Sequence, residues 1–370
     1  TSQTDRYYGR GEGCWIWDSH NIIVQYNKQY RASGFGDTYG SAGHVDFYCK
    51  NAIFQYNYSE DTEGGFVEIL GDSENITFRY NVSVNDGHRA NGHNRYSIWL
   101  SGYVGTDKTP VPSNNCYIYN NTVYLDKSRS RPDIEIFAKN TYIYNNIFYA
   151  MNGAQIGAGG VGIDIQSGSE LVVSNNLFYG DIATAFTNLD NKKITSQDPL
   201  YTDPVSDNGS IENFNIQEGS PVINAGLSFL QPAFPMAGTG IFENITEYPT
   251  TDIFGETLDI NHMGPNIGAS NVHNSANALA VHSPQSAQSV FTLYPNPVRD
   301  DLNLKLNTNL QKADITIYDL QGRQIYNTSI KEVSNSMKVA LPETIRNGIY
   351  LIKVSEGQQV QTSQLILYRK

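Results

Sequence analysis

The stretch NAIFQYN at residues 51–57 decides the fold, because close variants of it return along the first half of the chain. The other copies are residues 21–27 (NIIVQYN), 75–81 (NITFRYN), 115–121 (NCYIYNN), 140–146 (NTYIYNN) and 170–176 (ELVVSNN). Repeats with a period of about 20–50 residues indicate a solenoid, in which each repeat buries its apolar face only against its neighbours. A residue that recurs at a fixed offset from the phrase must then form a column on the surface.

A second strand lies between successive copies of the phrase. These segments pair apolar residues around a polar centre, the period-2 alternation of a half-buried strand, and lie at residues 44–48, 66–70, 96–100, 134–137 and 162–165. Two or three short strands in each coil predict an all-β solenoid, and this arrangement resembles a right-handed parallel β-helix.

Within the phrase, one apolar position predicts an inward stack: Val24, Phe54, Phe78, Ile118, Ile143 and Val173. The asparagines that close the copies are Asn27, Asn57, Asn81, Asn121, Asn146 and Asn176. Asparagine tolerates a left-handed backbone and can hydrogen-bond along the solenoid axis. The series resembles the asparagine ladder of pectate-lyase-like β-helices, so we assign these residues a structural role.

Composition excludes several classes of protein. A hydrophobic content of 39% with 17% charged residues excludes a disordered chain, and no apolar run approaches the ~20 residues of a spanning helix. Cys14, Cys49 and Cys116 are odd in number and lack the spacing of a disulfide framework or metal site. We interpret Cys116 as a small core residue.

Charge is unevenly distributed. Residues 291–370 hold ten basic and seven acidic side chains, which leaves 15 basic and 30 acidic ones in residues 1–290, a net charge of −15. A strongly acidic body argues against nucleic acid or an anionic membrane as the main partner.

The chain divides into four parts. We expect β-helix coils in residues 1–186, a C-terminal closing segment that covers the last coil in residues 187–270, a linker in residues 271–290 and a separate unit in residues 291–370. The repeat begins almost at once, at residues 14–17, with little sequence that could cap it. We therefore expect the N-terminal part of the solenoid to be missing.

The last unit has the pattern of a small β-sandwich. Its motifs are LYPNP at residues 293–297, ITIYDLQGR at 315–323, NGIYLIKV at 347–354 and a closing strand that ends in Arg369 and Lys370. It resembles the type A C-terminal sorting domain of the type IX secretion system. That resemblance implies a Bacteroidota source, contact with the secretion machinery and a secreted or cell-surface location. We expect a monomer without a transmembrane segment.

Four acidic residues lie five to seven positions before a copy of the phrase: Asp46, Glu68, Glu135 and Asp164. Each is flanked by apolar residues that must face inward, so each carboxylate is expected to point outward and to join one column. Neighbouring coils are about 4.8 Å apart, which would place Asp46 directly beside Glu68.

Like charges in such a position need a physical resolution. Water and salt could screen them as on any solvated face, calcium could bind them, or one carboxyl could keep its proton beside an ionised partner. The last arrangement is what glycoside hydrolysis requires. We therefore select Asp46 and Glu68 as the catalytic pair and Glu135 as a further contact with substrate.

Residues near this pair suggest a sugar-binding site. Trp15 and Trp17 offer flat apolar faces to sugar rings. Polar candidates for substrate binding are Glu60, Asp61, His88, Arg89 and Arg95. Ordinary surface residues remain the alternative for each of them.

Residues 13–87 resemble bacterial β-helix proteins that act on carbohydrates, including xylosidase-like hydrolases with an Asp and a Glu one coil apart. The resemblance implies a glycoside hydrolase that acts on a polysaccharide. It implies no particular cofactor, and calcium is the one cofactor candidate that the acidic column offers. The first alternative is a calcium-assisted polysaccharide lyase, with Arg89, Arg95, His88 or Lys139 as base. The second is a glycan-binding adhesin without catalysis.

Overall fold

The structure is a computed structural model that describes residues 11–34, 40–89, 95–204, 210–228, 234–258 and 264–272, and most of residues 291–369. Gaps in that last stretch fall at residues 295–297, 299–300, 307–309, 320–322, 334–335, 343 and 357–358. The chain forms two compact units, residues 1–278 and 279–370. The regular secondary structure of both is almost entirely β-strand, which confirms the predicted fold class.

Each of six coils contributes three short strands. In chain order they are β1 (Cys14–Ile16), β2 (His20–Gln25), β3 (Lys28–Tyr30), β4 (Ser41–Val45), β5 (Lys50–Gln55), β6 (Tyr58–Glu60), β7 (Gly65–Ile69), β8 (Glu74–Arg79), β9 (Val82–Val84), β10 (Tyr96–Leu100), β11 (Ser113–Tyr119), β12 (Thr122–Leu125), β13 (Asp133–Ile136), β14 (Ala138–Tyr144), β15 (Ile147–Ala150), β16 (Ile163–Ile165), β17 (Leu171–Ser174) and β18 (Leu177–Gly180).

Three parallel sheets run the length of the coils. Sheet A contains the first strand of every coil, sheet B the second and sheet C the third. Every neighbouring pair within these sheets is parallel, for example β4 with β7 and β5 with β8. This is the topology of a parallel β-helix, in which each coil hydrogen-bonds only to the coils before and after it.

The interior is the predicted apolar stack. Val24, Phe54 and Phe78 are aligned by the register of sheet B, and the same row continues through Ile118, Ile143 and Val173. The rings of Phe54 and Phe78 stack with their centroids 4.5 Å apart. Cys116 lies in an adjacent buried row between Ile76 and Thr141, which confirms its role as a core residue.

The predicted asparagine ladder is present and continuous. The Oδ1 atom of Asn81 accepts hydrogen bonds from the backbone N–H and the Nδ2 of Asn57, and Asn81 donates the same pair to Asn121. The pattern repeats down to Asn176, whose donors reach the carboxylate of Asp190. Each interior amide also donates to a backbone carbonyl, so the buried turn satisfies its own polar groups.

A second ladder lies at the start of the phrase. Its members are Asn21, Asn51, Asn75, Asn115 and Asn140. All five have a positive φ between 46° and 61°. Asparagine is one of the few residues that adopts this left-handed conformation at low cost, which explains why the phrase opens with it. At the other end of the phrase the left-handed residue is the one before the closing asparagine, for example Tyr56 before Asn57, so the expected left-handed backbone of the closing asparagines is wrong.

The segment after the coils differs from its expected position. A short helix, α1 (Thr184–Thr187), and β19 (Ile194–Thr195) extend the last coil, with β19 joining sheet C. The described residues beyond them pack along the sides of the solenoid. Tyr201, Phe214, Val222 and Ile267 lie against sheet C, Leu258 lies against the tyrosines of sheet B, and Phe234, Phe242 and Ile245 surround Ile53.

The physical reason for this path is the apolar surface that the repeat leaves outside. Tyr119 and Tyr144 on sheet B form one cluster with Tyr56 and Tyr80, which directly follow β5 and β8, and burying such rings is strongly favourable. The described part of residues 187–270 therefore covers sides of the solenoid, and its role as a closing segment for the last coil stays a prediction.

The C-terminal unit is antiparallel. Its strands are β20 (Phe291–Tyr294), β21 (Asp301–Leu306), β22 (Leu310–Tyr318), β23 (Gln324–Val333), β24 (Ser336–Ala340), β25 (Gly348–Glu356) and β26 (Gln359–Leu367). They form one sheet of three strands and one of four, which share a core that includes Leu302, Ile315 and Val354. Residues 273–290 lie outside the described residues, so the linker at 271–290 stays a prediction.

The ladder yields a test of what holds the coils together. We expect Asn81→Ala to lower the free energy of unfolding by roughly 2–4 kcal/mol, because it leaves several buried backbone and side-chain groups without partners. Asn27→Ala is the matched control, since Asn27 is exposed and donates to Asn57 without accepting from another ladder asparagine. Urea unfolding followed by circular dichroism measures both. Equal losses for the two variants would contradict the role of the buried ladder.

Candidate active site on sheet A

The outer face of sheet A carries a column of large and ionisable side chains. The strand register aligns Trp15, His44, Glu68, Trp99, Glu135 and Asp164. Glu68, Glu135 and Asp164 therefore share one row, as the sequence predicted. Trp99 fills the place between Glu68 and Glu135.

Asp46 does not lie in that row, and the predicted direct pairing of Asp46 with Glu68 is wrong. The residue beside Glu68 on the preceding coil is His44, and Asp46 follows the end of β4 two residues further on. An offset of five to seven positions before the phrase does not fix the register, because this window includes residues that lie two positions apart along the strand. A shift of two keeps the same face of the strand and changes the row, so the prediction found the correct face and the wrong neighbour.

A cavity of about 610 Å³ opens over this part of sheet A and contains both predicted catalytic carboxyls. Its lining residues are Trp15, Trp17, His44, Asp46, Phe47, Glu68, Leu70, Trp99, Ser101 and Tyr103. The volume lies within the usual range of small-molecule sites, and the combination of aromatic rings with a few convergent polar groups is typical of them. Asp46 and Glu68 therefore lie in different rows of sheet A, and both line the same cavity.

Glu68 lies at the floor of the cavity and is almost completely buried. Its Oε2 accepts a hydrogen bond of 2.6 Å from the hydroxyl of Ser41, and its Oε1 lies 3.2 Å from Nε2 of His44. Burial raises the pKa of Glu68 to about 7, although His44 and the Ser41 hydroxyl both act in the opposite direction. Glu68 thus remains protonated in a pH range where an ordinary glutamate is ionised.

Tight packing holds the strand that carries Glu68. Gly65 begins β7 with a φ of +116°, and a Cβ at this position would lie 1.9 Å from the carbonyl oxygen of Tyr96. The Gly64–Gly65 pair allows two backbones to approach closely. Trp99 on the following strand stacks on Tyr96 with ring centroids 4.9 Å apart.

Asp46 is held by two N–H donors. The indole Nε1 of Trp15 donates to Oδ2 at 3.0 Å, and the backbone N–H of Phe47 donates to Oδ1 at 2.9 Å. The two carboxyls of the cavity therefore have different surroundings, one buried beside a hydroxyl and an imidazole and one bonded to N–H groups.

Aromatic rings form one wall of the cavity. Phe47 makes edge-to-face contacts with Trp17 at 6.1 Å and with Tyr103 at 5.9 Å. Trp15, Trp17 and Tyr103 are each about half exposed, although large aromatic side chains usually bury most of their surface. Exposed apolar area gathered over a cavity indicates a binding surface.

The remaining predicted contacts with substrate lie elsewhere in the fold. Glu60 accepts a hydrogen bond from Tyr58, and Asp61 contacts His88 and Arg129, next to the turn that follows sheet C. Arg89 is buried, and Arg95 donates to its backbone carbonyl.

Glu135 accepts hydrogen bonds from Tyr96 and Gln166. None of these six predicted residues belongs to the lining of the cavity. Their roles in substrate binding stay predictions.

Sequence reasoning missed His44, Phe47, Trp99 and Tyr103. His44 and Trp99 could have been found from the correct row of the column, because they occupy the positions on either side of Glu68. Tyr103 lies in the insertion after β10, where no repeated position predicts the place of a residue. Among the described residues, no group of three or more His, Cys, Asp or Glu side chains is arranged to hold a metal ion.

Comparisons with known proteins bear on both units. A family model described as a secretion system C-terminal sorting domain matches residues 292–368. Among curated proteins, the chain is similar to the lacto-N-biosidase of Bifidobacterium longum subsp. longum, with 34% identity over 133 residues. That match covers 34% of this chain and 7% of the enzyme, so the chain spans a small part of that relative.

No helix in the described part of the chain has the length and apolar character needed to cross a membrane. The sorting domain indicates export to the cell surface or secretion, which confirms the predicted location. Residues 292–368 thus belong to the C-terminal sorting domains, and the protein that they export is a parallel β-helix.

Proposed function

We propose that the exported β-helix is a glycoside hydrolase whose active site is the cavity on sheet A. The observation that carries this proposal is the presence of two carboxyls with different surroundings, Asp46 and Glu68, in one cavity walled by aromatic rings. Hydrolysis of a glycosidic bond needs one carboxyl that donates a proton and one that is ionised.

Glu68 is the general acid in this proposal. A buried carboxyl with a raised pKa still holds its proton near neutral pH and can pass it to the glycosidic oxygen as the bond breaks. Asp46 is the ionised partner. It either attacks the anomeric carbon as a nucleophile or removes a proton from the attacking water, and in both cases it faces the positive charge that develops on the sugar.

The lining of the cavity favours a neutral sugar as substrate. Of its ten residues none is lysine or arginine, and two are carboxylic acids. A uronate would bring a further negative charge towards Asp46, and His44, the one lining residue that can carry a positive charge, already lies beside Glu12 and Glu68. The flat faces of Trp15, Trp17 and Tyr103 instead suit the apolar faces of neutral sugar rings.

The similarity to a lacto-N-biosidase supports the same class of reaction. Because that match covers a small part of the enzyme, it supports hydrolysis of a glycan and leaves the sugar open. Glycans that end in lacto-N-biose therefore belong in the first panel of neutral substrates, together with xylo-oligosaccharides.

The roles of the two carboxyls predict the effect of neutral substitutions. We expect Asp46→Asn and Glu68→Gln each to lower kcat/KM by about 10²- to 10⁴-fold on a neutral oligosaccharide. Wild-type activity should fall as the pH rises through about 7, because Glu68 then loses the proton that it must donate.

Asp164→Asn is the matched control for these variants, since Asp164 occupies the same row of sheet A and is exposed outside the cavity. Its kcat/KM should match the wild type. Unsaturated products from a uronate polymer would instead indicate a lyase, and binding without turnover on every glycan would indicate an adhesin. Either result would contradict the proposal.

The protonated state of Glu68 can be tested without substrate. In the unfolded chain the carboxyl loses its proton near pH 4.5, whereas the folded protein keeps it to about pH 7, so wild-type stability should fall as the pH rises through this window. Glu68→Gln removes this titration. We expect its stability relative to the wild type to increase by on the order of 2 kcal/mol between pH 4.5 and 7.5 in urea unfolding. A difference that is constant with pH would contradict a raised pKa for Glu68.

The aromatic wall predicts a separate effect on substrate binding. Trp17→Ala should raise KM about tenfold with a smaller change in kcat, because Trp17 packs edge-to-face on Phe47 in the aromatic wall of the cavity. Tyr26→Ala is the control, since Tyr26 is an exposed aromatic residue that stacks on Tyr56 and does not line the cavity. Steady-state kinetics on the same oligosaccharide checks both. A fall in kcat at unchanged KM would contradict a binding role for Trp17.

A further inference from the structure

A third acidic residue, Glu12, contacts the buried end of the site from outside the cavity. The Oε1 atom of Glu12 lies 3.2 Å from Nδ1 of His44, and its Oε2 accepts hydrogen bonds from the backbone N–H groups of Gly40 and Ser41 at 3.0 and 2.8 Å. The imidazole thus lies between two carboxyls, with Glu12 at Nδ1 and Glu68 at Nε2. All three side chains are more than nine-tenths buried.

The two contacts of the imidazole are not equivalent. Nδ1 of His44 makes a hydrogen bond with Glu12, whereas Nε2 lies 3.2 Å from Glu68 without the geometry of a hydrogen bond. Glu12 also accepts two hydrogen bonds from backbone N–H groups, which fix its carboxyl group beside the imidazole. The geometry therefore favours Glu12 over Glu68 as the counter-charge of His44.

Charge balance leads to the same assignment. Burial of net charge is costly, and a buried group escapes this cost by pairing or by changing its protonation state. One imidazolium can neutralise one of the two neighbouring carboxylates. If it pairs with Glu12, the neutral form of this cluster has Glu68 protonated.

We propose that Glu12 and His44 form a buried ion pair that leaves Glu68 without a counter-charge of its own, so that Glu68 holds the proton needed for catalysis. Glu12 and His44 are positioning residues in this arrangement, since they act through Glu68. The value of the arrangement for catalysis rests on the function proposed above, whereas the protonation states can be measured independently of it.

The groups that face the two partners are accounted for on each neighbouring element. Glu68 on β7 is faced by His44 and Ser41 on β4, by Glu12 before β1 and by Asp46 after β4. Burial lowers the pKa of His44, but the carboxylates of Glu68, Glu12 and Asp46 outweigh burial and raise it overall. The charge of Glu12 raises the pKa of Glu68, and that of His44 lowers it.

These opposite effects provide the test. In Glu12→Gln the imidazolium has lost its first counter-charge and pairs with Glu68, so the pKa of Glu68 should fall by about 1 unit or more. In His44→Asn the cation beside Glu68 is gone while the charge of Glu12 remains, so the pKa of Glu68 should rise. If Glu12 and His44 only supported the fold, replacing them would not shift the pKa of Glu68 in opposite directions.

The experiment is a ¹³C NMR titration of the full chain labelled at glutamate Cδ, with the Glu68 signal assigned by its loss in Glu68→Gln. Glu63→Gln is the matched control, because the Glu63 carboxylate accepts a hydrogen bond from the backbone N–H of Gly34 as Glu12 does from Gly40 and Ser41. We expect this control to leave the Glu68 titration unchanged. Circular dichroism at each pH limits the comparison to variants that remain folded.

Shifts of the same sign in Glu12→Gln and His44→Asn, or a shift in Glu63→Gln equal to that in Glu12→Gln, would overturn the inference. The outcome is distinguishable from failure of the proposed function. Opposite shifts of the Glu68 pKa without hydrolysis of any glycan would support the charge arrangement and contradict the proposed enzymatic function. Hydrolysis that depends on Glu68, with shifts of the Glu68 pKa of the same sign in both variants, would support the enzymatic function and contradict the role of Glu12.

Discussion

The hydrogen-bonded stacking of one coil on the next is the constraint on which this structure depends. A coil of three short strands satisfies its backbone groups and covers its apolar side chains only through its neighbours, so both the core and the turns must repeat in register. The row from Val24 to Val173 and the asparagine ladder from Asn27 to Asn176 are the two results. The same register sets the neighbours of every residue on the outer faces.

The three outer faces have different uses. Sheets B and C are covered along their sides by the described residues between 201 and 272, which bury the outward tyrosines. Sheet A instead carries the cavity, and its insertion after β10 places Tyr103 at the rim. A glutamate on the floor of that cavity is removed from water by the side chains around it, which is why Glu68 differs chemically from Asp164 in the same row.

The repeat made much of the fold predictable, because stacked coils translate sequence spacing directly into position. The apolar row, the closing ladder and the outward orientation of Glu68 followed from it. Its failures also have physical causes. The row of Asp46 was misassigned because alternation along a strand distinguishes faces and not rows. Glu12 lies outside the repeat, and its contact with His44 depends on how the chain before β1 packs, for which periodicity carries no signal.

The central claim is that the cavity on sheet A breaks glycosidic bonds with water, and the masses of the products test it most directly. Neutral oligosaccharides incubated with the wild-type protein at pH 6 should produce fragments whose summed mass exceeds that of the substrate by one water, because hydrolysis adds water across the broken bond. Glu68→Gln should produce none at the same concentration. Fragments whose masses sum to that of the substrate would indicate elimination, and equal amounts of hydrolysis product from the wild type and Glu68→Gln would show that the cavity is not the active site.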